Sequence, residues 1–312
     1  MTTRVLITDN NLGDSRLEID VLRDALGADV TVRDCRTEED VLAAVEDVDP
    51  HAIIVQWAPI TARVLDAAPS CRIVSRIGIG LDMVDLDAAA ARSVLVRNVP
   101  HYCLEEVATH AVAMGLSLWR RLPALDGELR ANAWDAATSA PLIRRLSDST
   151  VGLIGMGRIG RRVADAFAIW GTRVIVYDPV QGDDPYERVV LEQLAAESDL
   201  VSLHAPLLES TRHIVDDRFL RATFRTPYVV NVSRGPLVDT DALVAALNDG
   251  RIAGAGLDVF ETEPLDADSP LRTAPNTILT PHAAWCSVDA LPELRRGAAM
   301  NVVDALTADG DL

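Results

Sequence analysis

Three short segments of the chain carry residue types suited to one chemistry. They are Val230-Asn231-Val232-Ser233-Arg234-Gly235, Asp258-Val259-Phe260-Glu261-Thr262-Glu263-Pro264 and Leu279-Thr280-Pro281-His282-Ala283-Ala284-Trp285. Each ends a run with the composition of a strand, and ligands of doubly wound sheets bind beyond the carboxyl ends of strands. Together they offer an arginine, a carboxylate (Asp258 or Glu263) and a histidine. That set suits hydride exchange with a carbonyl acid. The guanidinium fork binds carboxylate and carbonyl oxygens. The histidine gives or takes the hydroxyl proton. The carboxylate holds the imidazole in position and favours its protonated form. A lone arginine after a strand is usually a surface residue, and a lone histidine near a turn is usually a structural donor. Their joint occurrence, in order, carries the reading.

A fourth segment supplies a cofactor for such chemistry. The apolar run Val151-Gly152-Leu153-Ile154 leads into Gly155-Met156-Gly157-Arg158-Ile159-Gly160 and then a helical stretch. This is the G-x-G-x-x-G spacing: Gly155 for the tight turn, Gly157 for backbone approach to a pyrophosphate, Gly160 for close helix–strand packing. The helix N-terminus offers free N–H groups to phosphates. A second strand, Arg173–Tyr177, ends in Asp178, where an acidic residue grips ribose hydroxyls. A carboxylate there repels the 2′-phosphate of NADP, so NAD is the expected cofactor.

These segments need a scaffold, and the chain reads as two α/β units. Strands are expected at Arg4–Thr8, Asp29–Val32, Ala52–Gln56, Arg72–Ile77 and Val94–Asn98, alternating with helices. This rhythm predicts a parallel, doubly wound sheet. A helical pattern from about Leu104 to Leu122 carries Val107, Ala111, Met114 and Leu118 at helical spacing. A polar, Arg-rich stretch, Pro123–Asp148, follows. A second series then begins at Thr150–Ile154 and continues through Arg173–Tyr177, Leu200–Leu203, Tyr228–Val232, Gly254–Val259 and Thr277–Leu279.

On these four motifs the chain resembles the D-isomer-specific 2-hydroxyacid dehydrogenases, from about Ile53 to Ser287. Pro281-His282-Ala283-Ala284-Trp285 resembles most the branch of the C-terminal binding protein co-repressors. The resemblance implies that Arg234 is catalytic, that His282 is the acid/base and that Glu263, not Glu261, pairs with it. For the cofactor it implies contacts from Gly155, Met156, Gly157, Arg158, Ile159, Gly160 and Asp178. It adds His204, Ala205, Pro206 and Thr211 along the cofactor, Val232 and Ser233 beside the nicotinamide, and Asp258 near its carboxamide. Arg76-Ile77-Gly78-Ile79-Gly80-Leu81-Asp82 matches a loop whose amides hold the substrate carboxylate, which gives Ile79 and Gly80 that role. Many relatives carry a smaller or polar residue where Ile79 stands. Trp285 is a further substrate candidate. Residues 99–285 are then a Rossmann-type NAD-binding domain. Residues 1–98, completed by a C-terminal helix over 286–312, are a flavodoxin-like substrate domain. The segment 104–148 resembles a dimerisation arm, so a homodimer is expected. His51, His101, His110 and His213 lack motif support and are expected to be structural or exposed.

Composition bounds the partners. The 312 residues include 29 basic and 47 acidic side chains, for a net charge of −18. Such a chain repels nucleic acid and membrane surfaces on average. Apolar runs fall short of the ~18–20 residues that span a bilayer, and the N-terminus lacks a signal-peptide apolar region. A cytoplasmic protein is expected, with Cys35, Cys71, Cys103 and Cys286 reduced. No Cys/His spacing suggests a metal site. The leading expectation is an NAD-dependent 2-oxoacid reductase acting on a small 2-oxo or 2-hydroxy acid. The alternatives are an NAD(H)-sensing binding protein like the co-repressors, and a dehydrogenase of another small anion such as phosphite or a phosphonate.

Overall fold

The computed structural model describes residues 2–180 and 182–308. Its backbone parts into two compact units, one reaching Cys103 and resuming at Cys286, the other spanning Leu104–Trp285.

The first unit holds β1 (Arg4–Ile7), β2 (Asp29–Val32), β3 (Ala52–Val55), β4 (Ile73–Arg76) and β5 (Leu95–Arg97). They form a parallel sheet in the order β2-β1-β3-β4-β5. This is the flavodoxin-like order. Every residue of β3 and β4 is buried, because helices cover both faces of a parallel sheet. The covering helices are α1 (Arg16–Leu26), α2 (Glu38–Val48), α3 (Ala62–Ala67) and α4 (Leu86–Ala91). Strand ends fall within a residue or so of the sequence reading. The unit extends past residue 98, because the Val99 amide bonds Gly78 O at 2.9 Å and Asn98 Nδ2 bonds Ile79 O at 2.6 Å.

The second unit opens with α5 (Leu104–Trp119) and α6 (Leu122–Arg130). One continuous helix to Leu122 was expected. Instead the chain turns at Arg121, whose φ is +53°, and Pro123 sits in the first turn of a new helix. Proline fits there because first-turn amides have no intrahelical acceptor. The sheet then comprises β6 (Thr150–Ile154), β7 (Arg173–Tyr177), β8 (Glu187–Arg188), β9 (Leu200–Leu203), β10 (Tyr228–Asn231), β11 (Gly254–Leu257) and β12 (Thr277–Leu279). Its order is β12-β11-β10-β9-β6-β7-β8, all parallel. That is the Rossmann arrangement with one added edge strand. Between the strands lie α7 (Arg158–Ala168), α8 (Leu191–Glu197), α9 (Asp217–Arg221) and α10 (Thr240–Asn248), while α5 packs across β10, β11 and β12.

Helix α11 (Ala290–Ala308) returns to the first unit and packs on α1 and β4. Its Arg295 forks onto Glu18, with Nε to Oε1 at 2.8 Å and Nη2 to Oε2 at 2.6 Å. Glu18 is fully buried, so the fork supplies the charge partner that burial demands.

Candidate active site

The buried strand β6 feeds a loop that only glycine can shape. Gly155 has φ +95°, and a Cβ there would stand 2.6 Å from the Ala205 amide nitrogen. A Cβ on Gly160 would stand 2.4 Å from Gly155 O, so α7 lies directly on the loop. Gly157 caps α7 without a side-chain hydrogen bond, and open space surrounds the position of its missing Cβ. Gly157 therefore leaves room for a dinucleotide pyrophosphate to approach the backbone at the start of α7. Asp178, just past β7, accepts the Met156 amide on Oδ2 at 2.7 Å and the Val180 amide on Oδ1 at 2.8 Å. Each oxygen keeps further lone-pair capacity for a ribose hydroxyl. These residues fit a bound dinucleotide.

His204 follows β9 beside this loop. Burial pushes its imidazole down to about 3, so it is neutral. Its Nε2 pairs with Ser202 Oγ at 2.9 Å, and its enclosed Nδ1 has no partner among the described residues. Thr211 Oγ1 donates to Pro206 O at 2.7 Å and accepts the Leu208 amide at 2.8 Å, closing the turn after Ala205. Ser233 Oγ donates to Leu203 O at 3.0 Å, which ties the end of β10 to β9; Val232 beside it is buried.

Beyond β10 the fully buried Asn231 braces the next turn. Its Nδ2 donates to Arg234 O at 2.8 Å and its Oδ1 accepts the Ser233 amide at 3.0 Å. The Arg234 guanidinium donates to Ser233 O at 2.7 Å. Beyond β11, Glu263 Oε1 accepts the Phe260 amide at 2.9 Å while Oε2 lies 2.7 Å from His282 Nδ1. Burial by itself would raise the Glu263 carboxyl. The bond to His282, the imidazole charge, the Phe260 amide and the nearby Arg234 outweigh it and hold the group below the usual glutamate value. Arg234, Glu263 and His282 therefore share one electrostatic neighbourhood. Glu261 serves elsewhere: it meets His213 Nε2 at 2.6 Å and accepts the Thr240 amide.

His282 has φ +52°, an uncommon conformation for a side chain with a Cβ. Its amide bonds Asp258 O at 2.8 Å. The Asp258 carboxylate, 1% exposed, accepts the Thr280 hydroxyl at 2.5 Å, the Ala283 amide at 2.8 Å and the Ala284 amide at 2.9 Å. Trp285, half-buried, ends the segment. In the first unit, Ile79 and Gly80 are half-buried in the loop after β4, which Gly78 turns at φ +144°. Arg76 at the end of β4 lies over the Trp57 ring, 5.1 Å from its centroid. Among the described residues no group of three or more His, Cys, Asp or Glu side chains could hold a metal ion.

Residues 112–284 match the D-isomer specific 2-hydroxyacid dehydrogenase NAD-binding domain. The chain is 39% identical to a glyoxylate reductase of Korarchaeum cryptofilum over 84% of this chain and 81% of that protein. It is 38% identical to a D-3-phosphoglycerate dehydrogenase of Mycobacterium tuberculosis over 91% of this chain and 54% of that protein. The chain belongs to the D-isomer-specific 2-hydroxyacid dehydrogenase family.

A D-lactate dehydrogenase of Aquifex aeolicus, solved with NAD and lactic acid, superposes with a TM-score of 0.86 at 29% identity, covering 98% of this chain and 96% of that one. The protein is thus an NAD-dependent dehydrogenase of the D-2-hydroxyacid type, with two parallel α/β sheets. In this dehydrogenase the sequence reading overlooked Asn231 and the pairing of His110 with Thr280 at 3.1 Å. Asn231 stood inside a quoted motif, where a polar residue ending a buried strand was the available signal.

Proposed function

We propose that this dehydrogenase reduces a small to medium 2-oxoacid carrying an apolar or aromatic portion, with NADH preferred over NADPH. The observation that carries the proposal is the His282–Glu263 pair at 2.7 Å, under the influence of the Arg234 charge. In this reading His282, oriented by Glu263 through Nδ1, delivers its proton to the carbonyl oxygen from Nε2. Arg234 binds the carboxylate and polarises the carbonyl through its fork. Bound NADH supplies the hydride. Asp178 accepts the adenosine ribose hydroxyls and disfavours a 2′-phosphate. Trp285, half-buried at the end of the His282 segment, supplies aromatic surface for the substrate's apolar portion.

The proposal includes a cytoplasmic homodimer. Support for the dimer comes from the arm after α5. Helix α6 buries none of its residues, and Leu122, Leu129, Trp134 and Leu142 are all exposed. Trp134, at 91% exposure, is costly to leave in water unless a second copy covers it. Cytoplasmic conditions keep thiols reduced; burial pushes Cys35 up to about 11 and Cys71 up to about 12, which makes both inert.

The test is NADH oxidation with glyoxylate, pyruvate, hydroxypyruvate, phenylpyruvate, a thioether oxoacid and phosphonopyruvate, each repeated with NADPH. The expected result is highest kcat/KM on an apolar or aromatic oxoacid with NADH. Activity confined to strongly polar acids, or equal use of NADPH, overturns the substrate or the cofactor part respectively.

A further inference from the structure

We infer that His110 is a positioning residue for His282, acting from α5 through Thr280 and Asp258. The Thr280 hydroxyl has one proton, and it lies on the 2.5 Å bond to Asp258 Oδ1. The 3.1 Å contact between His110 Nε2 and Thr280 Oγ1 must therefore be donated by the histidine. Donation runs in one direction: His110 to Thr280, Thr280 to Asp258. The same buried carboxylate accepts the Ala283 and Ala284 amides, and the Asp258 carbonyl accepts the His282 amide. Asp258 thus holds the His282 amide, the two amides that follow it and the Thr280 side chain before it.

His282 needs that grip. A non-glycine residue at positive φ is strained and persists only where its surroundings over-determine it. Three donors on one carboxylate do so. The Thr280 hydroxyl is the donor that can rotate away, because a threonine χ1 has other wells. His110 prevents this by filling the acceptor site of Oγ1 and tying the cluster to α5. Among the described residues, Glu263, Arg234, Asp258 and His110 are charged or titratable groups set around the reacting imidazole and its loop. Only His110 comes from outside the strand-end segments. Its consequence is orientation: when Thr280 turns, Asp258 loses a donor and the His282 backbone gains freedom that misdirects the proton-transfer nitrogen.

This inference rests on His282 being the acid–base residue, so the experiment separates the two. His282→Gln tests the acid–base role directly, and retained activity in it overturns that role. With that variant inactive, His110 is tested by three substitutions in the full-length enzyme. His110→Leu removes the donor and is expected to lower kcat about tenfold, the scale on which small misplacements act. The KM for NADH and NADH binding by fluorescence should stay within about twofold of the parent. His110→Gln keeps an N–H at matching reach and should retain at least about half of the parental kcat. Thr280→Val breaks the same chain one step on, so its loss should match that of His110→Leu, and the double variant should lose no more than either. A kcat within twofold of parent in His110→Leu, failure of His110→Gln to rescue, or additive losses in the double variant would each overturn the inference. If His110→Leu does not fold, Thr280→Val against His110→Gln still decides it.

Discussion

Glu263 divides its two oxygens between the backbone and the reacting base, with Oε1 on the Phe260 amide and Oε2 on His282 Nδ1. Glutamine cannot copy this. One end of its amide is a donor, so with the Phe260 amide on its oxygen it can pair only with an unprotonated Nδ1 and no longer supports the imidazolium. Reduction consumes the protonated imidazole, so Glu263→Gln should lower kcat/KM for reduction about tenfold or more, with oxidation less impaired and NADH still bound. Steady-state kinetics in both directions checks this; near-parental reduction refutes the pairing's role. The same carboxyl makes a stability prediction with a definite sign. Its native value lies below the ordinary one of about 4.3, so its contribution is complete above that pH and is lost as pH falls through the native value. The melting-temperature gap between parent and Glu263→Gln should accordingly close on the acid side only below about pH 4.3. Arg234 is tested by geometry rather than charge. Lysine keeps the charge and loses the planar fork, so Arg234→Lys should lose most of kcat/KM while NADH still binds. Near-parental kcat/KM in that variant would refute the clamp.

At the scale of elements, the catalytic segments interlock through Gly235. A Cβ on this residue would lie 1.9 Å from both the carbonyl carbon and the carbonyl oxygen of Phe260, and neither is free to swing aside as a side chain is. Gly235→Ala must therefore part the turn after β10 from the turn after β11, and these carry Arg234 and Glu263. Overpacking of this kind costs about 3 kcal/mol, roughly 6–12 °C in a unit of this size. Calorimetry should show that drop together with a fall in kcat; an unshifted transition would mean the turns separate freely. The contact also shows what was legible beforehand. The glycine fingerprint, Asp178 and the three polar strand ends were readable because each depends on local chain geometry that residue type announces. The break at Arg121 was not, since arginine carries no signature for a left-handed turn; Pro123 alone marked the new helix. Strand β8 is two residues long, too short for any periodicity. The bond from His110 to Thr280 spans 170 residues and is created by α5 packing across β12, so no spacing encodes it.

At the scale of the whole molecule, the arm after α5 presents Leu122, Leu129, Trp134 and Leu142 to solvent in one stretch of chain. The net charge of −18 opposes association at long range, so a dimer must draw its stability from apolar burial at close range. Trp134 is the largest side chain available for this, and at 91% exposure it contributes nothing to its own unit's core. Removing it should therefore separate assembly from folding. Interface tryptophans commonly carry about 2 kcal/mol or more, and a two-fold interface uses each residue twice. Trp134→Asp should thus cost about 4 kcal/mol of association, roughly a thousandfold in the dimer Kd. The expected outcome in sedimentation equilibrium is a dimeric parent and a monomeric variant at micromolar concentration. Their far-UV circular dichroism should be the same. The parent's melting temperature should rise with protein concentration, because association stabilises the folded state by mass action, and the variant's should not. A variant that stays dimeric would place the interface elsewhere, whereas one that unfolds would show that the arm belongs to the core of its own unit.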